Sequence, residues 1–283
     1  MPKIFPTNNH QNKLIVIRGI GIAGNTEFSC LMVDAIPDKH ALANSQCFPL
    51  YLYNEDSNDE QTNLFTKGAD KGKESAISEE GFNYFSRNFS DIQITKEDIF
   101  YYVYGILHSK EYTEKYRNNL SKELPRIPLC KNSKDFQTFA ELGKALSELH
   151  LNFDNAEKFP ITFKEGDLRL MYIEDRRKFF KLEKMKFVNK NNKTSVIYNR
   201  NLTIENIPEK AFKYKVNGRS ALEWVMDTYI IKKDKETGIQ NNINDFINEN
   251  HKDPEYFIEL FQKIITVSLK TLEIIESLPS LNF

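Results

Sequence analysis

Apolar residues in the first fifty positions come in short bursts separated by turn formers. LIVIRGIGI from Leu14, FSCLMVDAI from Phe28 and CFPLYLY from Cys47 each read as strands, divided by Gly21, Gly24, Asn25 and the stretch IPDKHALANSQ. Asn54 to Ser78 is polar and acidic without periodicity, which predicts an exposed loop. The period then becomes helical. Thr95 ahead of Lys96, Glu97 and Asp98 is a capped start, with Ile99, Phe100, Val103, Ile106 and Leu107 as its stripe. A second helix is predicted over Ser109 to Leu120, and Pro125 and Pro128 end helical structure. Ser133 caps a third, with Phe136, Phe139, Leu142, Leu146 and Leu149 on one face.

From Ile161 the period returns to two. KMKFV and TSVIY, joined by Asn189 to Lys193, predict a β-hairpin with a polar tip. Ser220 then caps a helix holding Leu222, Trp224, Val225 and Met226, with Trp224 expected in a packed core. A last helix follows Asp253-Pro254 with Phe257, Phe261, Ile265 and Leu272 at helical spacing. The expected fold class is α+β: mixed sheet and hairpin regions, a helical layer and a long C-terminal helix. The expected division is a β-rich part over 1–94, a helical part over 95–151 and a mixed hairpin and helical part over 152–283.

Composition supports a globular reading. The chain has 283 residues, 40% apolar and 28% charged, with 21 Phe and 13 Tyr, enough for a core without disulfides. No apolar run approaches the ~20 residues of a membrane span, and the first residues have no secretory apolar region, so a cytoplasmic location without membrane contact is expected. Three Cys without CxxC spacing fit a reducing compartment and no zinc site. Net charge is −1, yet Lys164 to Arg219 carries 15 Lys/Arg against 7 Asp/Glu. That local excess suits either a phosphate-attracting face or a solvated lysine-rich surface.

Catalytic motifs are missing. There is no Walker loop, HExxH, GxSxG or DPPY-like tetrapeptide. Gly19-Ile-Gly21-Ile-Ala-Gly24 has the letters of a dinucleotide fingerprint, but FSCLMVDAI reads as a returning strand where a helix is needed, so a glycine-rich hairpin is the better reading. His40, His108 and His150 sit beside apolar patterns and read as structural. Asp167, Glu174 and Asp175 lack a nuclease spacing.

Several strings occur together in order: QCFPLY from Gln46, IFYYVYGILHS from Ile99, Tyr112 and Tyr116, ELPRIP from Glu123, YKVNGRSALEWV from Tyr214, Tyr229, and TVSLKT from Thr266. From about Leu14 to Leu278 the chain resembles the C-terminal specificity region, or target recognition domain, of type ISP restriction-modification enzymes, often labelled predicted helicases. The resemblance implies sequence-specific recognition of double-stranded DNA, without catalysis in this chain. It also implies partner domains: an adenine-N6 methyltransferase and an ATP-driven translocase-nuclease, in the same or an adjacent polypeptide. S-adenosylmethionine, ATP and Mg²⁺ would belong to those domains, and no cofactor is expected here. A structural or docking domain without base reading is the alternative.

A specificity domain needs phosphate-holding cations around a few base readers. The candidates are Lys184, Lys186, Asn189, Lys190, Asn191, Asn192 and Lys193 in and beside the hairpin tip, together with Arg200 and Arg219. Lys184, Lys186, Lys190, Lys193 and Arg200 are expected to share one exposed concave side. Arg219 either holds phosphate or pairs with Glu223.

Overall fold

A computed structural model describes residues 3–20, 28–54, 72–189, 191–233, 237–238, 240–250 and 253–281. The chain forms two compact units, Met1–Leu151 with Glu273–Phe283, and Asn152–Leu272.

In the first unit β1 (Leu14–Ile17) lies between β2 (Cys30–Val33) and β3 (Gln46–Pro49), antiparallel to both. The run LIVI is buried at all four positions, as the central strand of a covered sheet should be. Ile17 pairs with Cys30, so β2 returns antiparallel to β1, which a dinucleotide-binding βαβ unit does not do. Gly21 and Gly24 lie outside the described residues. Gly19 has a packing role: its N–H donates to the Ala43 carbonyl, and a Cβ there would lie 2.2 Å from the Asn44 oxygen.

β4 (Tyr51–Tyr53) pairs with β5 (Lys73–Ser75), a strand inside the stretch expected as loop. Residues 55–71 of that expected loop lie outside the described residues. The helices are α1 (Glu79–Asn88), which the periodicity did not predict, α2 (Lys96–His108), α3 (Lys110–Lys115), α4 (Arg117–Leu120) and α5 (Ser133–Leu151). Thr95 caps α2 in a full capping box with Asp98, as expected. The single helix expected over 109–120 is divided at Tyr116. Asn132, rather than Ser133, caps α5: its Oδ1 accepts the Asp135 N–H at 2.8 Å. Buried residues run along α2 from Ile99 to Leu107, broken only at Val103, so this helix is the centre of the unit. It crosses α5 at two glycines, where a Cβ on Gly143 would lie 2.0 Å from the Tyr101 carbonyl oxygen and one on Gly105 2.6 Å from that of Phe139.

In the second unit β6 (Thr162–Phe163) is followed by a Gly166 turn, a short 3-10 helix and α6 (Arg176–Phe179). Strand structure expected from Ile161 thus resumes only at β7 (Lys186–Asn189), which with β8 (Asn192–Ile197) and β9 (Thr203–Glu205) completes a sheet ordered β6-β9-β8-β7. The β7–β8 hairpin is the predicted one, with a tighter connection. A small ribbon, β10 (Lys215–Val216) with β11 (Arg219–Ser220), feeds α7 (Ala221–Thr228). The ribbon β12 (Lys232–Lys233) with β13 (Gln240–Asn241), then α8 (Ile243–Asn250), lead to α9 (Tyr256–Glu276), the expected long final helix. Tyr198, Leu202, Ile204, Leu222, Phe257 and Phe261 fill the core of this unit. Among the described residues no helix is long and apolar enough to cross a membrane.

Candidate nucleic-acid interface

The hairpin is built by alternation. Phe187 pairs with Val196, and its ring meets Phe212 at 5.6 Å on the core side. Its neighbour Lys186, paired with Ile197, is exposed, as is Lys184 just before the strand. The register then shifts between Phe187 and Asn189, an irregularity that leaves Val188 55% exposed. Lys184 and Lys186 face solvent, without an ion pair among the described residues.

The asparagines divide by role. Asn189 Oδ1 accepts the Asn191 N–H at 2.9 Å, which holds the turn. Asn192 Oδ1 accepts both the Thr194 N–H and its hydroxyl, at 2.9 and 2.6 Å, fixing the start of β8. Asn191 is exposed, and its side-chain amide has no hydrogen bond among the described residues. Lys190 lies outside the described residues.

Three cations are already engaged. Lys193 donates to Glu223 at 2.7 Å, and its ammonium lies over the rings of Phe187 and Phe212. It is therefore half-buried on the core side of the hairpin, and the expectation of one shared exposed side fails at this residue. Burial pushes the Glu223 carboxyl up, but hydrogen bonds from Lys193 and Ser220 outweigh it and leave the group below its ordinary range. Arg200 pairs with Glu183 at 2.8 Å; both are solvated, so the pair is worth only ~0–1 kcal/mol. Arg219 pairs with Asp227, not Glu223, because Glu223 is committed to the Ser220 cap and to Lys193.

Trp224 is half-buried and lies outside the core cluster, a correction to the packed-core expectation. Its Nε1 donates to the Val216 carbonyl at 2.7 Å and its ring lies under the Arg219 guanidinium. Leu222, Val225 and Met226 are the core residues of that helix. The amphipathic indole covers the β10–β11 ribbon with its polar edge satisfied.

Elsewhere in the unit the segment GDLRLMYIEDRR presents exposed residues that sequence reasoning did not select. No feature of the letters singles them out, because a short apolar run such as Leu170-Met171-Tyr172-Ile173 reads equally as a buried strand. Among the described residues no cluster of His, Cys, Asp or Glu is arranged to hold a metal ion.

A family model described as the Type ISP C-terminal specificity domain matches residues 1–260. No curated protein matches. The chain is similar to a solved nuclease-deletion mutant of the Type ISP restriction-modification enzyme LlaGI in complex with a DNA substrate mimic. There identity is 34% and the TM-score 0.76, covering 100% of this chain and 22% of that one. It is similar to the ATP-dependent Type ISP enzyme LlaBIII bound to DNA, with 35% identity, a TM-score of 0.80, and 100% and 17% covered. A cryoEM DrdV-DNA complex gives 29%, 0.79, and 100% and 26%. The chain thus spans about a quarter or less of the length of these structures.

Proposed function

The chain belongs to the family of Type ISP C-terminal specificity domains, and on that premise we propose that it recognises double-stranded DNA by sequence for a restriction-modification enzyme. The observation that carries this reading is the likeness along the whole chain to LlaBIII, solved bound to DNA. In this reading the β7–β8 hairpin is the groove reader, a two-stranded ribbon of a size the major groove admits. Lys184, Lys186 and Arg200 hold phosphates, and Lys190, which follows Asn189 in the sequence, is assigned the same role. Asn191 reads a base edge, Val188 offers a methyl-sized apolar contact, and Asn189 and Asn192 shape the turn. Lys193 and Arg219 act as positioning residues. Methylation of adenine, translocation and cleavage belong to partner domains with their S-adenosylmethionine, ATP and Mg²⁺, and recognition here orients the methyltransferase. In this reading the chain acts in the cytoplasm, where its duplex substrate lies.

The test is selection from a randomised duplex library by the full chain, followed by titration of an enriched duplex against salt. Enrichment of one sequence with steep loss of affinity as salt rises is expected. A docking domain without base reading would enrich no sequence from the library.

A further inference from the structure

Between β6 and α6 the second unit carries a short, tightly held projection. Gly166 turns the chain at φ +102°, a conformation that strains any side chain. Asp167 then caps the following 3-10 helix (Leu168–Leu170): its carboxylate accepts the Arg169 N–H at 3.0 Å and grips the Arg169 guanidinium in a fork at 2.6–3.1 Å. Leu168 and Ile173 pack against the core at either end. Between these anchors three consecutive apolar residues face outward, with Leu170 86%, Met171 38% and Tyr172 93% exposed. Such a contiguous solvated patch on a fixed frame points to a partner.

The surroundings identify the partner's chemistry. Arg177 and Lys178 follow on α6, both exposed, and neither side chain has an ion pair among the described residues. The tip stands in the segment with 15 Lys/Arg against 7 Asp/Glu. An isolated three-residue projection is small for the ~800 Å² per side of a stable protein interface. Exposed Glu174 and Asp175 lie between the tip and these cations, with Asp175 accepting the Lys178 N–H at the start of α6, and Arg176 pairs with Glu255. The cationic charge beside the tip is that of Arg177 and Lys178, and an apolar and aromatic tip beside two such cations suits a stacked polyanion.

We propose that Leu170, Met171 and Tyr172 form a wedge that enters duplex DNA at one base step, with Arg177 and Lys178 on the neighbouring phosphates. The proposal rests on the reading of the chain as a duplex binder. The Asp167–Arg169 fork holds the tip's backbone, and Arg169 is a positioning residue.

The test uses the full chain and a duplex enriched from the randomised library, with 2-aminopurine placed singly along it. The parent chain should raise fluorescence at one step, the mark of unstacking. A Leu170→Ala/Tyr172→Ala variant should abolish that rise and weaken binding about tenfold or more, with an unchanged unfolding midpoint because both side chains are already solvated. Tyr172→Phe should retain both properties. If the double variant binds as tightly as the parent, or the parent's fluorescence rises nowhere, the wedge is wrong while duplex recognition stands. If the variant keeps duplex binding but loses association with a Type ISP enzyme lacking its specificity domain, the tip docks protein and the proposal is overturned. Absence of any duplex binding by the parent overturns both readings.

Discussion

The Lys193 ammonium and the Glu223 carboxylate, 2.7 Å apart, join the β7–β8 hairpin to the first turn of α7, and the same carboxylate closes the capping box with Ser220. One acidic group thereby stabilises a helix start and fixes the hairpin beside it. Lys193 differs in this from Lys184 and Lys186, whose charges face solvent.

Substituting these lysines should separate the two roles. Lys184→Ala with Lys186→Ala should weaken every duplex similarly and lower the salt slope of log affinity by about 0.9 per lost contact. Lys193→Ala should leave the slope nearly unchanged but lower stability by ~1 kcal/mol, because Glu223 loses a partner in a half-buried setting. Salt titrations and denaturant unfolding measure both. An unchanged slope in the Lys184/Lys186 variant would remove those residues from the phosphate contacts.

The asparagines give a second contrast. Asn191→Ala should leave stability within ~0.5 kcal/mol and relax the preference at one base position by ~1–3 kcal/mol. Asn192→Ala should cost ~1 kcal/mol of stability, since Asn192 Oδ1 holds both donors of Thr194. Selection from the randomised library with each variant reads the specificity. Identical enriched sequences from parent and Asn191→Ala would exclude that amide as a reader.

What was legible in the sequence was mostly local. Thr95 and Ser220 cap their helices where the letters place them, and the structure closes each into a capping box with the acid three residues on, Asp98 and Glu223. The hairpin is legible because Phe187 and Val196 mark one face of a period-two pattern. Long-range partners were not. Nothing near Lys193 announces Glu223, thirty residues away, or sends Arg219 to Asp227 in preference to Glu223. β5 was hidden because Lys73-Glu74-Ser75 has no apolar letter and owes its strand to the edge of β4. The Leu170–Tyr172 tip is illegible for a physical reason: periodicity methods assign apolar letters to an interior, and these side chains face water.

Trp224 supports the ribbon rather than the core, which sets the size of its effect. Trp224→Ala should cost ~1–3 kcal/mol, below the ~3–5 expected for the fully buried Phe261→Ala in the same unit. Trp224→Phe should cost about 1 kcal/mol, from loss of the Nε1 bond to Val216. Urea unfolding of the three variants gives the ranking, and equal losses for Trp224→Ala and Phe261→Ala would place the indole in the core after all.

The first unit carries a pair of histidines that should make its stability depend on pH. His108 and His150, far apart in sequence, bring their rings to 5.6 Å. His108 Nδ1 donates to the Tyr104 carbonyl at 2.9 Å, its ring lies beside Cys30, and His150 Nδ1 meets the Tyr104 hydroxyl at 2.7 Å. Burial lowers His108 to about 4, against a smaller opposing effect of the Tyr104 carbonyl. Burial, then repulsion from His108, lowers His150 to about 3. Both values lie below the ordinary 6.5, so under mildly acidic conditions the unfolded chain binds protons that the folded chain refuses, and stability rises with pH. The contribution is complete above about pH 6.5 and falls as pH drops, by up to ~1.4 kcal/mol per unit for each histidine, until the folded values near 4 and 3 are passed. Urea unfolding between pH 7 and pH 5 should show this slope in the parent chain. His150→Gln, which keeps a polar partner for Tyr104, should remove about half of it. A slope identical in parent and variant would mean that His150 is not held neutral by the fold.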